Sequence, residues 1–234
     1  GEVCGRAFRT AVFNGHPYEK QQTGTIDGLK NIDRQDVLDF YSTYYRPDRA
    51  ALVIVGDVTL AKVEELCNTY LADWKASGKP LPVVPAPHPI QGMRINLVDM
   101  PTAQAQITMG HVGVNRTNPD RFKLDVMNQI LGGGGLYTRL ANEVRVKRGL
   151  TYGIYCYFAR RQYTGEYLLS TFTKAESAGE TINVCLNELK RIRREDVTEK
   201  EVADAKMALV GRHPLRYEQY EDIAQTLVHT NFYG

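Results

Sequence analysis

Paired cysteines are missing from this chain. Its 234 residues include only Cys4, Cys67, Cys156 and Cys185, and the closest two, Cys156 and Cys185, are 29 residues apart. There is thus no Cys-x-x-Cys zinc or redox signature, and a chain this long builds its core without disulfide staples. The four read as buried or half-buried thiols. Histidine is also scarce: His16, His88, His111, His213 and His229, with the closest pair 16 residues apart. A zinc-binding helix needs two histidines on one face with an acid between them, as His-Glu-x-x-His or its inverse His-x-x-Glu-His. Neither motif occurs, so no metal ligation by this chain is expected. No apolar run approaches the roughly 20 residues that cross a bilayer, and nothing at Gly1 resembles a signal peptide. No Gly-x-Ser-x-Gly elbow exposes a serine nucleophile, and Cys156, inside Tyr155-Cys156-Tyr157, reads as packed rather than reactive. Charge of one sign is lacking too. With 29 Lys and Arg against 27 Asp and Glu, the net charge is +2, which sets up no field for nucleic acid or an anionic membrane.

What is present is a punctuated series of helices and strands. Pro80, Pro82, Pro85, Pro87 and Pro89 crowd into the stretch between Lys75 and Gly92, half of the ten prolines. Such a stretch lacks backbone donors and favours extended backbone, so it reads as a semi-rigid linker. Before it, the patterns predict a helix over Glu2–Phe13, ended by Asn14-Gly15-His16-Pro17. A second helix is predicted over Arg34–Tyr45, capped by Asp33, with Val37, Phe40, Tyr41 and Tyr44 on one face. The continuous apolar run Ala50–Val55 predicts a strand covered on both faces, and Thr59 caps a helix running to about Trp74. After the linker, Arg94–Val98 and Gln104–Val112 read as strands. Asn118-Pro119-Asp120 opens a helix to about Leu131, Gly132–Gly135 breaks it, and Leu136–Arg148 resumes as a helix closed by Gly149. Thr151–Ala159 and Glu166–Phe172 form a hairpin. Long helices follow through Ile182–Ile192, Glu199–Gly211 and Tyr217–Asn231. Strands in pairs followed by runs of helices imply an α+β fold: a mostly antiparallel sheet with helices packed on one side. The first segment has too few strands for a sheet of its own, and no closing strand follows the last helix. Both ends therefore read as cut from something longer.

Three segments invite a chemical reading. Gly132-Gly133-Gly134-Gly135 suggests a phosphate loop, but no Gly-Lys-Ser/Thr ends it and a helix rather than a strand precedes it, so it reads as a joint between helices. Lys190-Arg191-Ile192-Arg193-Arg194 is flanked by Glu188, Glu195 and Asp196 and reads as a solvated helix face. The third is Arg145 to Tyr152. Arg145 falls in the last turn of a helix, Gly149 reverses the chain and Tyr152 starts a strand. This reversal can bring a guanidinium and a phenol to one end of the sheet, where two donors could hold a carbonyl oxygen as it gains charge. The plainer alternative is that Arg145 complements a helix C-terminus and Tyr152 is a strand aromatic.

Ile130 to Leu140, with the glycine run and Thr138-Arg139-Leu140, followed by Arg145 through Tyr152, resembles the second domain of the pitrilysin/insulinase zinc peptidases. The shorter bacterial and mitochondrial processing-peptidase branch is the nearest match. Gly15-His16-Pro17-Tyr18, Thr23-Gly24, Tyr44 to Asp48 and Val53 to Val58 resemble the end of that family's first domain. The resemblance implies that residues 1–75 are the C-terminal portion of the first, zinc-bearing domain, 76–92 a proline-rich linker and 93–234 a second domain that binds no metal. It implies that the inverted zinc motif and a distant glutamate ligand would lie before Gly1. It also implies that Arg145 and Tyr152, with the family's spacing of seven, bind substrate and stabilise the tetrahedral intermediate from across a clamshell. Zinc would then come from the parent protein or a partner chain, and the substrate would be an extended peptide, with no organic cofactor, nucleic acid or membrane span. The chain alone would be inactive. The bacterial periplasm or cytoplasm is the expected compartment. An alternative is a non-catalytic partner or structural subunit; a nucleotide or nucleic-acid binder is the weakest reading.

Overall fold

The computed structural model describes residues 1–76, 78, 80–88 and 90–233. In chain order the elements are α1 (Glu2–Phe13), α2 (Ile26–Lys30), α3 (Arg34–Tyr44), α4 (Leu60–Tyr70), β1 (Gln104–Val112), α5 (Arg121–Asn128), β2 (Ile154–Arg160), β3 (Gly165–Lys174), α6 (Ala178–Arg194), α7 (Glu199–Arg212) and α8 (Tyr220–Tyr233). Between α5 and β2 lie two stretches of wider, π-type turn, Gln129–Gly133 and Ala141–Val146. The chain forms two compact units. One joins Gly1–Lys20 to Val84–Arg212; the other joins Gln21–Val83 to His213–Gly234. Contacts thus group α1 with the segment after the proline-rich stretch. Pro80, Pro82, Pro85 and Pro87 lie outside any helix or strand; Pro89 lies outside the described residues.

The first unit carries the sheet, in the order β1-β3-β2 and antiparallel throughout. Register sets the faces. Met109 opposes Leu169, which opposes Cys156, and these join Leu131, Leu140, Ala141, Val144, Ile154, Tyr167 and Cys185 in the core. The apolar positions of β2 and β3 recur at every second residue, as a one-sided sheet requires. Cys185 of α6 and Leu131 after α5 put these helices on the core face. Tyr155 and Tyr157 are exposed on the other side. There α1 lies against β1, with Cys4 Sγ donating to Thr108 Oγ1 at 3.2 Å. The architecture is α+β, as paired strands followed by runs of helices predict.

The second unit is helical. Asp33 closes a capping box with Asp36, at 3.0 Å in both directions, and Thr59 Oγ1 accepts from the Lys62 N–H at 3.3 Å. Local chemistry therefore starts both helices where the sequence places their caps. Two expected strands do not form. Ala50–Val55 and Arg94–Val98 are not strands. A strand exists only by pairing, and among the described residues neither run has a neighbouring strand. The face of α3 that reads as core (Val37, Phe40, Tyr41 and Tyr44) is exposed.

Candidate functional site

The segment that carries Arg145 is anchored at both ends. At its start, Thr138 caps it: Thr138 Oγ1 accepts from the Ala141 N–H at 3.2 Å and donates to the Gly135 carbonyl at 3.0 Å. Arg139 then forks onto Glu201 of α7, with Nε to Oε1 at 2.6 Å and Nη2 to Oε2 at 2.9 Å. This side chain is only 9% exposed, and a two-pronged fork is the geometry in which a buried guanidinium is tolerated. Leu140, Ala141 and Val144 insert into the core. Lys147 N–H reaches back five residues to the Asn142 carbonyl at 2.9 Å. That widened turn accompanies the orientation of 145, which lies between buried Val144 and exposed Val146.

Gly149 then turns the chain at φ 63°, a left-handed conformation that side-chain-bearing residues resist. Its N–H bonds the Arg145 carbonyl at 3.0 Å, closing the segment as a left-handed C-cap. The following Leu150 packs against the core. Contrary to expectation Tyr152 does not start the strand, because the pairing of β2 with β3 begins only at Ile154; it follows buried Thr151 and is itself 82% exposed. Arg145 and Tyr152 therefore stand on either side of one glycine turn. Among the described residues, neither side chain has a hydrogen-bond or ion-pair partner, and none joins the two to each other. A half-exposed guanidinium and an exposed phenol are left as uncommitted donors.

Neighbouring charges are used up within the fold. A cleft of about 620 Å³ beside the 141–146 segment is lined by Tyr137, Arg139, Glu143, Lys147, Arg191 and Glu201, among others, and not by Arg145 or Tyr152. Hydrogen bonds from Lys147 and Arg148 hold the Glu143 carboxyl below its ordinary range. The Arg139 fork, together with the donors of Thr198, holds Glu201 down to about 2. Two further ion pairs tie Arg160 at the end of β2 to Asp125 of α5 and Arg161 to Glu166 of β3. The glycine run is structural: a Cβ at Gly132 would meet Cys156 Sγ at 2.6 Å and Leu140 Cδ1 at 2.9 Å. Burial pushes the thiols of Cys156 and Cys185 up to about 11 and about 12, which leaves them poor nucleophiles. In the basic run, Arg191 bonds Glu195 at 2.7 Å.

The histidines do not assemble. His16 is buried, and its Nδ1 accepts from the Tyr18 N–H at 3.1 Å; Nδ1 of His111 lies 2.8 Å from the Val112 carbonyl. His213 lies against Tyr217, and His229 stacks on Tyr233. Among the described residues no group of three or more His, Cys, Asp or Glu could hold a metal ion, so the residues present do not fit a resident zinc. Nor is any helix of the described residues long and apolar enough to cross a membrane. The residues that sequence reasoning missed are the buried threonines around Tyr152. The one signal is Thr171 and Thr173 two positions apart, the first inside the expected strand Glu166–Phe172 and the second just past its end.

Comparison with known proteins gives these features a setting. A sequence profile described as "Peptidase M16 inactive domain" matches residues 31–209. An uncharacterized zinc protease of Streptomyces coelicolor is 26% identical over 223 residues, covering 93% of this chain and 48% of that protein. The mitochondrial-processing peptidase subunit beta of Mus musculus is 30% identical over 197 residues, covering 80% of this chain and 39% of that one. A crystal structure of a peptidase M16 inactive domain from Pseudomonas fluorescens superposes with a TM-score of 0.91 at 28% identity, covering 100% of this chain and 55% of that chain. The chain thus spans about half the length of the relatives it matches. With most of its length matched by that profile, this chain belongs to the peptidase M16 family and carries its inactive domain.

Proposed function

We propose that this chain supplies one half of a zinc-dependent peptidase site. Arg145 and Tyr152 would bind an extended peptide at a carbonyl and donate to its oxygen as charge develops there during hydrolysis. Zinc and its ligands would come from elsewhere, either a zinc-bearing N-terminal domain of the same protein or a partner subunit. In this reading residues 1–75 belong to the first domain, 76–92 link the domains and 93–234 form the second. The observation that carries it is the Gly149 turn, which fixes the backbone on both sides while leaving the guanidinium and the phenol uncommitted. Arg139, by contrast, commits its guanidinium to Glu201 within the fold. The names of relatives, zinc protease and processing peptidase, favour peptide hydrolysis.

The test is reconstitution with a zinc-bearing M16 polypeptide and a peptide substrate. The chain alone should be inactive. Arg145→Ala and Tyr152→Phe should each lower kcat/KM by about 100-fold, the usual cost of removing one oxyanion donor. Rates indifferent to both substitutions would leave the alternative, a non-catalytic partner or structural subunit.

A further inference from the structure

The ladder between β2 and β3 stops at the pair Ile154–Thr171. β3 continues beyond it to Lys174, paired only with β1. Where backbone bonds from β3 to the preceding segment would be expected, side chains take their place. Thr171 Oγ1 donates to the Gly153 carbonyl at 2.9 Å. Thr173 Oγ1 donates to the Leu150 carbonyl at 2.7 Å. From within the segment, Thr151 Oγ1 donates to the Gly153 carbonyl at 3.0 Å and accepts from the Gly153 N–H at 3.1 Å. The two carbonyls taken by β3 thus lie on either side of Tyr152.

These threonines are buried: Thr151 is 6% exposed, Thr171 and Thr173 2% each. Two residues apart on a strand, Thr171 and Thr173 share its core face. Valine has the same shape and the same strand preference, without a hydroxyl to satisfy. Other buried threonines bond within their own turn, Thr138 to Gly135 and Thr181 to Ser177. Thr171 and Thr173 instead reach back 18 and 23 residues, and both land on the four residues that present the phenol.

We propose that Thr171 and Thr173 are positioning residues for Tyr152. They latch Leu150 and Gly153 to β3, so the Tyr152 ring projects from a fixed backbone and moves only about its own side-chain bonds. The inference rests on the reading of Tyr152 as a site residue. A displacement of about 1 Å at such a donor can cost about 100-fold in rate, which is why the latch matters to function.

The experiment uses the full chain with Thr171→Val, Thr173→Val and the conservative Thr171→Ser. Amide hydrogen exchange across residues 150–153 should quicken in both valine variants and stay slow in Thr171→Ser, which keeps the donor. After reconstitution with a zinc-bearing M16 polypeptide, each valine variant should lower kcat about tenfold while KM holds. In a Tyr152→Phe background the same valine changes should add nothing. Unaltered exchange in the valine variants, lost protection in Thr171→Ser, or an equal rate loss in the Tyr152→Phe background would each overturn the proposal. If Tyr152→Phe itself leaves the rate unchanged, the site reading fails, and the exchange measurement still decides whether the latch exists.

Discussion

The two compact units differ in what holds their elements in place. In the unit that carries the sheet, nine buried residues from β2, β3 and the surrounding helical segments close one core, with Met109 of β1 packed against it. In the unit formed by 21–83 and 213–234, Arg46 alone is buried among the described residues, and Phe40, Tyr41, Leu60 and Tyr70 stand exposed. Yet α3 and α4 form in this second unit, while Ala50–Val55 forms no strand. A helix satisfies its backbone internally and needs only caps at its ends. A strand has no internal bonds and waits for a neighbour. The apolar faces of the second unit are therefore legible as sequence patterns but are not spent in packing within this chain.

Substitutions can sharpen that contrast. The largest effect is expected at Leu169, fully buried in the core. Leu169→Ala should cost about 3–4 kcal/mol in chemical denaturation, from lost transfer energy and the cavity left behind. The same truncation at exposed Phe40 should stay within about 0.5 kcal/mol. Comparable losses at the two positions would mean that the second unit has a core of its own.

The next effect is electrostatic. The Arg139 fork holds the Glu201 carboxyl down to about 2 from an ordinary 4.5. Across that window the unfolded chain binds the proton and the folded chain does not. The stabilisation is therefore complete above about pH 4.5 and disappears as pH falls through about 2. Glu201→Gln should lose about 2 kcal/mol at neutral pH, the worth of a hydrogen bond to a charged group. It should also flatten the fall of melting temperature with acid. A slope matching the wild type would show that the fork does not contribute to folding.

The smallest effect belongs to the second unit. Asp33→Ala removes the capping box of α3 and should cost about 1 kcal/mol. It should appear as faster amide exchange confined to the first turn of that helix. A loss that reaches the sheet of the first unit would show that the effect is not local to α3.

Much of the fold was readable from side-chain patterns. Glu2–Phe13 and Gln104–Val112 lie where periodicity and turn residues put them, because their signals are local; the hairpin forms as expected, but its first strand begins at Ile154 rather than Thr151 and its second runs on to Lys174. Leu136–Arg148 was less well read. A helical pattern cannot reveal that the turn widens at Asn142–Lys147, since the same side chains fit either winding. At the candidate site, the spacing of Arg145, Gly149 and Tyr152 was visible, and the glycine turn follows from it. The threonines that hold Leu150 and Gly153 were not, because a threonine in a strand pattern is explained equally well by its strand preference.

Most helix positions, the caps at Asp33 and Thr59 and the glycine turn were written into the order of residues, because each depends on atoms a few positions apart. The pairing of β3 between β1 and β2, the fork from Arg139 to Glu201 and the latch from Thr171 and Thr173 onto the segment around Tyr152 came only with the folded chain. Each joins residues distant in the sequence, whose attraction acts only after packing has placed them within hydrogen-bond reach.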